Sequence, residues 1–142
     1  MIVILKRFVS SRPAIAWLTA LLLLTGCSDN RIKTAPVEGA VTYKGKAVPQ
    51  GSIMFQPQDG PAATANIKNG RYTLKTYRDG DGAVLGQHIV TIISLEDQST
   101  RLPEERNPLP PPIVPLKYNF ADKSGLTAVV EDKKNTIDFD LK

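Results

Sequence analysis

The stretch ATANIKNGRYTLKT, residues 63–76, decides the fold class, because two short alternating segments flank Asn69 and Gly70. Both of these turn residues tolerate the positive φ angles of a tight turn, so the pattern predicts a β-hairpin. In the second arm Tyr72 and Leu74 share one face, and the polar residues between them lie on the other. The predicted arms are strands 62–67 and 71–76.

Alternation of apolar and polar residues continues on both sides of this hairpin. The stretch NTIDFDL, residues 135–141, is the clearest example, with Ile137, Phe139 and Leu141 on one face. Turn residues separate such segments about every 8–12 residues, a spacing typical of a β-sandwich, and no amphipathic helix is predicted after Cys27. We therefore predict an all-β fold, a single antiparallel sandwich of seven strands with 87–94 as a central strand. The predicted strands are 37–43, 51–57, 62–67, 71–76, 87–94, 125–130 and 135–141.

Two connections differ from the short turns. Residues 78–86 (RDGDGAVLG) form a predicted glycine-rich loop. Residues 95–115 are charged in their first half and contain six prolines, a residue that lacks a ladder donor and fixes φ. We predict a long surface excursion there, with polyproline II character in its second half. Long loops of this kind are often functional, so this one is the favoured place for a partner to bind.

The N-terminal part has the pattern of a secretory signal peptide. Basic residues Lys6, Arg7 and Arg12 precede an apolar run, residues 14–24, that is shorter than the ~20 residues that cross a bilayer. The run ends in LLLLTGC, residues 21–27, which resembles a bacterial lipobox. The resemblance implies cleavage between Gly26 and Cys27 and acyl chains on Cys27. Ser28 after the cysteine favours the outer membrane over the cytoplasmic membrane.

The predicted organisation follows from this cleavage. Residues 1–26 are the signal peptide, 27–35 a lipidated tether and 36–142 the folded domain, which contains the excursion. Three of the 18 basic residues precede Cys27, which leaves 15 basic against 14 acidic residues. So small an excess gives no support for a nucleic-acid partner, which needs a clustered basic face. With a single cysteine the chain forms no internal disulfide, although export permits one.

Between Pro36 and Ile93 the chain reads PVEGAVTYKGKAVPQGSIMFQPQ, then ATANIKNGRYTLKT, then DGDGAVLGQHIVTII. These pieces resemble the carboxypeptidase regulatory-like domain, and residues 116–141 resemble the ends of short bacterial lipoproteins built on that domain. The resemblance implies a Greek-key sandwich of the transthyretin (prealbumin) type. It also implies an accessory or binding module at the cell envelope.

The expected function is therefore that of an exported, lipid-anchored envelope protein with a structural or binding role and no cofactor. Its expected partners are membrane lipid, through acylated Cys27, and an envelope protein or polysaccharide. Two alternatives stay open: a transthyretin-like carrier of a small ligand, and an envelope calcium- or carbohydrate-binding module. The transthyretin-related hydroxyisourate hydrolases rely on paired histidines and a C-terminal Tyr-Arg-Gly-Ser. This chain has one histidine and reads Phe139-Asp140-Leu141-Lys142 at that position, so no enzyme activity is expected.

Three further groups of residues are candidate sites. Asp79 and Asp81 are candidate calcium ligands, but Ala83 occupies the position where a calcium loop needs a third oxygen donor, so an ordinary turn is favoured. His88 is predicted to be a satisfied, partly buried core residue. Basic residues interleaved with tyrosines are candidates for binding an anionic polymer, although a solvated face is favoured. They are Lys44, Lys46, Lys68, Arg71, Lys75 and Arg78, with Tyr43, Tyr72 and Tyr77.

Overall fold

The computed structural model describes residues 31–106 and 108–142, and these residues form an all-β structure with two short 3-10 helices. Ile32–Lys142 is one compact unit. Gly26 and Cys27 lie outside the described residues, as do the signal peptide and the first part of the tether. The 3-10 helices are Pro103–Glu105 and Leu116–Asn119. The strands are β1 (Thr34–Ala35), β2 (Val37–Tyr43), β3 (Lys46–Ala47), β4 (Gln50–Pro57), β5 (Ala63–Lys68), β6 (Arg71–Thr73), β7 (Ala83–Val84), β8 (Gly86–Ile93), β9 (Leu126–Val130), β10 (Asn135–Thr136) and β11 (Phe139–Leu141).

The hairpin around Asn69 and Gly70 forms where it was predicted. Strands β5 and β6 are antiparallel, with Lys68 directly opposite Arg71. Asn69 and Gly70 have φ angles of 50° and 73°. Positive φ at both central residues is the requirement of a type I′ turn, whose twist matches that of the strands on either side.

Most of the described strands belong to one curled sheet in the order β10-β2-β6-β5-β4-β8-β9, in which β3 and β11 also pair with β2. Strands β1 and β7 form a separate two-stranded ladder. Strand β8 has neighbours on both sides, as predicted for 87–94, but only one of its faces is buried. Each of the seven predicted strands has a counterpart, and the pairs within the β6-to-β9 part of the sheet are antiparallel.

The prediction of an antiparallel arrangement throughout was wrong at the C-terminal end. Strands β10 and β11 run parallel to β2. The chain leaves β9 at one end of the sheet order and reaches β2 at the other, where it arrives in the same direction as β2. The predicted strand 135–141 is also interrupted, because Tyr72 Oη donates to the Ile137 carbonyl at 2.6 Å and Asp138 accepts from the Ala40 amide at 2.7 Å.

The inward faces of the strands enclose one apolar core. The Phe55 ring on β4 lies 6.0 Å from the Phe139 ring on β11 and 6.2 Å from the Tyr72 ring on β6. Strands β4 and β11 are distant in the sheet order, so the sheet curls to bring their inner faces together. Burial raises the pKa of the Tyr72 phenol, and the charge of Asp138 adds to this effect. The predicted inward residues Phe55, Tyr72, Leu74, Val90, Ile92 and Phe139 are buried, whereas Ile137 is half-buried.

Two segments predicted as irregular contain regular structure. Thr34 and Ala35, predicted as the end of the tether, pair with Val84 and Ala83 of the loop 78–86. Two-residue strands are too short to show an alternating pattern, so only the tertiary contact reveals them. In the excursion, Leu95 bridges to Pro112, and the Glu96 amide donates to the Pro111 carbonyl at 2.9 Å. The base of the excursion is therefore packed structure, and Val114 beyond it is buried.

Candidate functional site

The outward-pointing side chains of β4, β8 and β9 form a surface without a charged residue, which we call the neutral face. The strand register places Met54 opposite Thr91, Gln56 opposite Ile89, and Gln87 opposite Val129. Side chains directly opposite each other in a sheet lie on the same face. Two of its aliphatic side chains are well exposed, Ile89 at 44% and Val129 at 62%. The lack of charge stands out because charged residues make up 23% of the chain. The neutral face consists of Ser52, Met54, Gln56, Gln87, Ile89, Thr91, Ile93, Thr127 and Val129.

An open cavity lies at each end of the neutral face. One cavity has a volume of about 460 Å³ and is lined by Gln56, Gln87, His88 and Ile89 together with residues 57–58 and Ala121. The other has about 560 Å³ and is lined by Ser52 and Ile93, with Glu96 and Pro110 from the base of the excursion. The base of the excursion therefore lines the cavity at this end of the neutral face.

The neighbouring hairpin continues this face with a different chemistry. A groove of about 350 Å³ lies over β5 and β6, and we call it the hairpin groove. Its lining includes three cations, Lys68, Arg71 and Lys75, and three hydrogen-bonding side chains, Thr64, Asn66 and Thr73. Asn66 is opposite Ser52 of β4, so the groove and the neutral face are adjacent parts of one sheet surface.

The two candidate calcium ligands have protein partners in this structure. Asp81 accepts hydrogen bonds from the backbone amides of Thr76, Tyr77 and Arg78 at 2.7–2.9 Å. Partial burial acts to raise the Asp81 pKa, but these three donors and the Arg78 charge outweigh it and hold the pKa below its usual range. Asp79 forms an ion pair with Lys75 at 3.1 Å. Asp81 is therefore the anchor of its own loop.

His88 lies in the core, more deeply than predicted, with 1% of its surface exposed. Its Nε2 is 2.8 Å from the Val84 carbonyl, and its ring lies 5.7 Å from the Phe55 ring. The prediction of a satisfied histidine was half right, because Nδ1 has no hydrogen-bond partner among the described residues. The ring serves as a core side chain that ties β8 to the strand before it.

The structure separates the basic and aromatic candidates into different surroundings. Lys68, Arg71 and Lys75 share the hairpin groove, whereas Lys44 lies over the Tyr43 ring at 5.1 Å. Tyr72 is buried, as its alternating phase predicted, and the Tyr77 hydroxyl accepts from the Ile32 amide at 3.1 Å. Lys68, Arg71 and Lys75 are therefore the basic candidates that the structure brings together.

Within residues 31–106 and 108–142, no group of three or more His, Cys, Asp or Glu side chains could hold a metal ion. No helix in that part of the chain is long and apolar enough to cross a membrane. No family model matches the chain, and neither a curated protein nor a solved structure matches it. The geometry of the sheet surface is therefore the observation that bears on function.

Sequence reasoning did not single out the neutral face. The outward phase of each strand is visible in the sequence, where Met54, Ile89 and Val129 stand among polar residues. The signal that could have found the surface is the lack of Lys, Arg, Asp and Glu in the outward phase of 51–57, 87–93 and 126–130. The adjacency of those strands follows only from the sheet order.

Proposed function

We propose that the chain is an exported envelope lipoprotein whose β-domain is a non-catalytic binding module on a lipid anchor. The lipobox-like LLLLTGC and the basic residues before it support acylation of Cys27. Two or three acyl chains hold a protein firmly at a membrane, because each buried CH₂ contributes about 0.8 kcal/mol. We place the protein at the outer membrane because of Ser28.

We further propose that the fold is a seven-stranded Greek-key sandwich of prealbumin type, related to the carboxypeptidase regulatory-like domain. The support is the agreement of the seven predicted strand positions with the residues of the resemblance, and the packing of Phe55, Tyr72 and Phe139 between distant strands. In this proposal the two-residue strands β1, β3 and β7 are additions at the edge of the seven-stranded sandwich.

The neutral face is the observation that carries the binding role. Exposed aliphatic side chains interspersed with Thr, Ser and Gln, flanked by a cavity at each end, form a surface suited to a ligand rather than only to water. Asp81, His88 and Asp79 have the structural contacts described above, which supports a binding role over catalysis.

The test separates the anchor from the binding surface. Intact-mass measurement of the membrane-extracted protein should show a mature N-terminus at an acylated Cys27, and C27S should move the protein to the soluble fraction. Soluble C27S protein should still sediment with delipidated envelope material from the same cells, and addition of Ile89→Lys and Val129→Lys should abolish that sedimentation.

An unmodified Cys27 would overturn the anchor. Unchanged sedimentation of a folded double-lysine variant would overturn the neutral face as the binding surface. Replacement of Ile32 and Leu116, which are 49% and 53% exposed elsewhere, by lysine is the matched control and should leave sedimentation unchanged.

A further inference from the structure

The hairpin groove contains an unusual pair of like charges. Lys68 and Arg71 are directly opposite each other across β5 and β6, and both side chains are exposed on the same side. Like charges in this arrangement destabilise a sheet. Within the described residues, neither side chain has a carboxylate at ion-pair distance. A bound anion between them would offset their repulsion.

A third cation lies along the same groove. Lys75 is paired with Thr64 through an isolated β-bridge, so these side chains also lie on the outer side of the hairpin. Its ion pair with Asp79 joins side chains that are 58% and 93% exposed. Exposed pairs of this kind contribute little, so Lys75 is available to a stronger anionic partner.

The groove also contains three neutral hydrogen-bonding side chains, Asn66, Thr64 and Thr73, and one carboxylate, Asp79, which is paired with Lys75. The Asn66 amide both donates and accepts, and the hydroxyls of Thr64 and Thr73 do the same. Sugar hydroxyl groups require such mixed donors and acceptors. The other nearby acid, Glu38, which is opposite Thr73 on β2, is held by Lys134 at 2.8 Å.

We propose that the hairpin groove binds an acidic polysaccharide, with Lys68, Arg71 and Lys75 contacting its carboxylate or phosphate groups and Asn66, Thr64 and Thr73 contacting its hydroxyl groups. The chain of the ligand continues over Ser52 onto the neutral face. This inference rests on the proposed binding role and specifies the class of its ligand. A polysaccharide suits the site better than nucleic acid, because nucleic acid needs an extended basic face. Here the three cations form a small cluster in a domain whose basic and acidic residues nearly balance.

The experiment uses the membrane-extracted full-length protein in detergent and measures affinity for defined polymers. Polygalacturonate tests the carboxylate and its methyl ester is the matched neutral polymer; phosphorylated dextran and plain dextran form the phosphate pair. At least one charged polymer should bind, and its neutral counterpart should bind at least about tenfold more weakly. Binding should weaken with added salt, because the groove is exposed.

Variants assign the site. Lys68→Gln together with Arg71→Gln should weaken binding at least about tenfold. Arg71→Lys alone should weaken binding less than the double variant, since lysine keeps the charge but not the bidentate geometry. Asp79→Asn should strengthen binding, because it removes the negative charge that lines the groove beside Lys75. The matched control is Lys117→Gln together with Lys123→Gln, which removes the same charge from side chains that lie over the Tyr118 and Phe120 rings, and it should have no effect.

The outcomes distinguish this inference from the proposed function. Equal binding of charged and neutral polymers, an equal loss in the control variant, or tighter binding of a DNA oligonucleotide or anionic vesicles would overturn the inference. If no acidic polymer binds while envelope sedimentation still depends on Ile89 and Val129, the inference fails and the binding module stands. Thermal melting of every variant confirms that it is folded.

Discussion

The loop 78–86 and the excursion 95–115 differ in length and composition, and they are held in opposite ways. The short loop is anchored from within, because one carboxylate, Asp81, accepts three backbone hydrogen bonds and its second half pairs with Thr34 and Ala35. The excursion is closed at its base by the Leu95–Pro112 bridge, and Leu102 in its distal part is 57% exposed. The hydrogen bonds and strand pairings of a connection, more than its composition, therefore decide how firmly it is held to the domain.

The base of the excursion should show the largest effect. Val114 is 2% exposed, so Val114→Ala removes two buried methyl groups and leaves a cavity. We expect a loss of about 2–3 kcal/mol in the free energy of unfolding, measured by chemical denaturation. Leu102→Ala in the exposed part is the control, with a change within about 0.5 kcal/mol. Equal losses in the two variants would mean that the excursion is packed throughout.

The anchor of the short loop should have the next largest effect. Asp81→Ala leaves three amides without their acceptor, and because the site is near the surface water replaces part of what is lost. We expect a destabilisation of about 1–2 kcal/mol, comparable to the loss of a helix N-cap. Asp79→Ala removes only an exposed ion pair and should cost less than about 0.5 kcal/mol. If Asp79 proved the more important residue, the assignment of the anchor would be wrong.

Acid should release the short loop in a defined direction. The Asp81 pKa is lowered in the folded state, so its stabilisation is fully present above the ordinary carboxyl pKa and is lost as pH falls through the folded value. Amide exchange at Thr76, Tyr77 and Arg78 should therefore accelerate relative to core amides as the pH falls below about 4. Asp81→Asn should remove this dependence, and its persistence in that variant would assign it to another group.

Hydrogen bonds from the backbone and side chain of Ser99 lower the pKa of Asp97 in the excursion in the same direction. Exchange at the Ser99 amide can therefore be compared with exchange at the amides bound to Asp81 in the loop 78–86. Because Asp97 is at the surface, we expect Asp97→Asn to change amide exchange at Ser99 without a change in the melting temperature of the domain.

Removal of the distal excursion should have the smallest effect. Replacement of residues 99–110 by a short Gly-Ser linker keeps the Glu96–Pro111 hydrogen bond and buried Gln98, and loop closure depends only weakly on length. We expect the free energy of unfolding to change by less than about 1 kcal/mol. Excision of 97–111 also removes Gln98 and the base hydrogen bond, so it should cost more. Unfolding of the shorter excision would show that the distal segment is structural.

The same contrast limits what could be predicted about the site. The Asn69-Gly70 turn and the outward phase of Lys68 and Arg71 follow from local sequence, so half of the hairpin groove could be derived in advance. The position of Thr64 opposite Lys75 and of Asn66 opposite Ser52 depends on strand register. The neutral face could not be derived, because its members come from three strands that meet only in the folded sheet. The lipid anchor at Cys27 remains a prediction from the sequence.

The sequence by itself determined the positions of the seven predicted strands, the Asn69-Gly70 turn and the inward phase of Phe55, Tyr72 and Phe139, because an alternating period and an Asn-Gly turn act through neighbouring residues. The tertiary structure decided how the C-terminal segment meets β2. At Gly39 a Cβ atom would lie 1.8 Å from the Ile137 carbonyl oxygen, so the close approach of β2 to the C-terminal segment requires the absence of a side chain. That contact joins residues far apart in the chain, and only the parallel pairing of β10 and β11 with β2 brings them together.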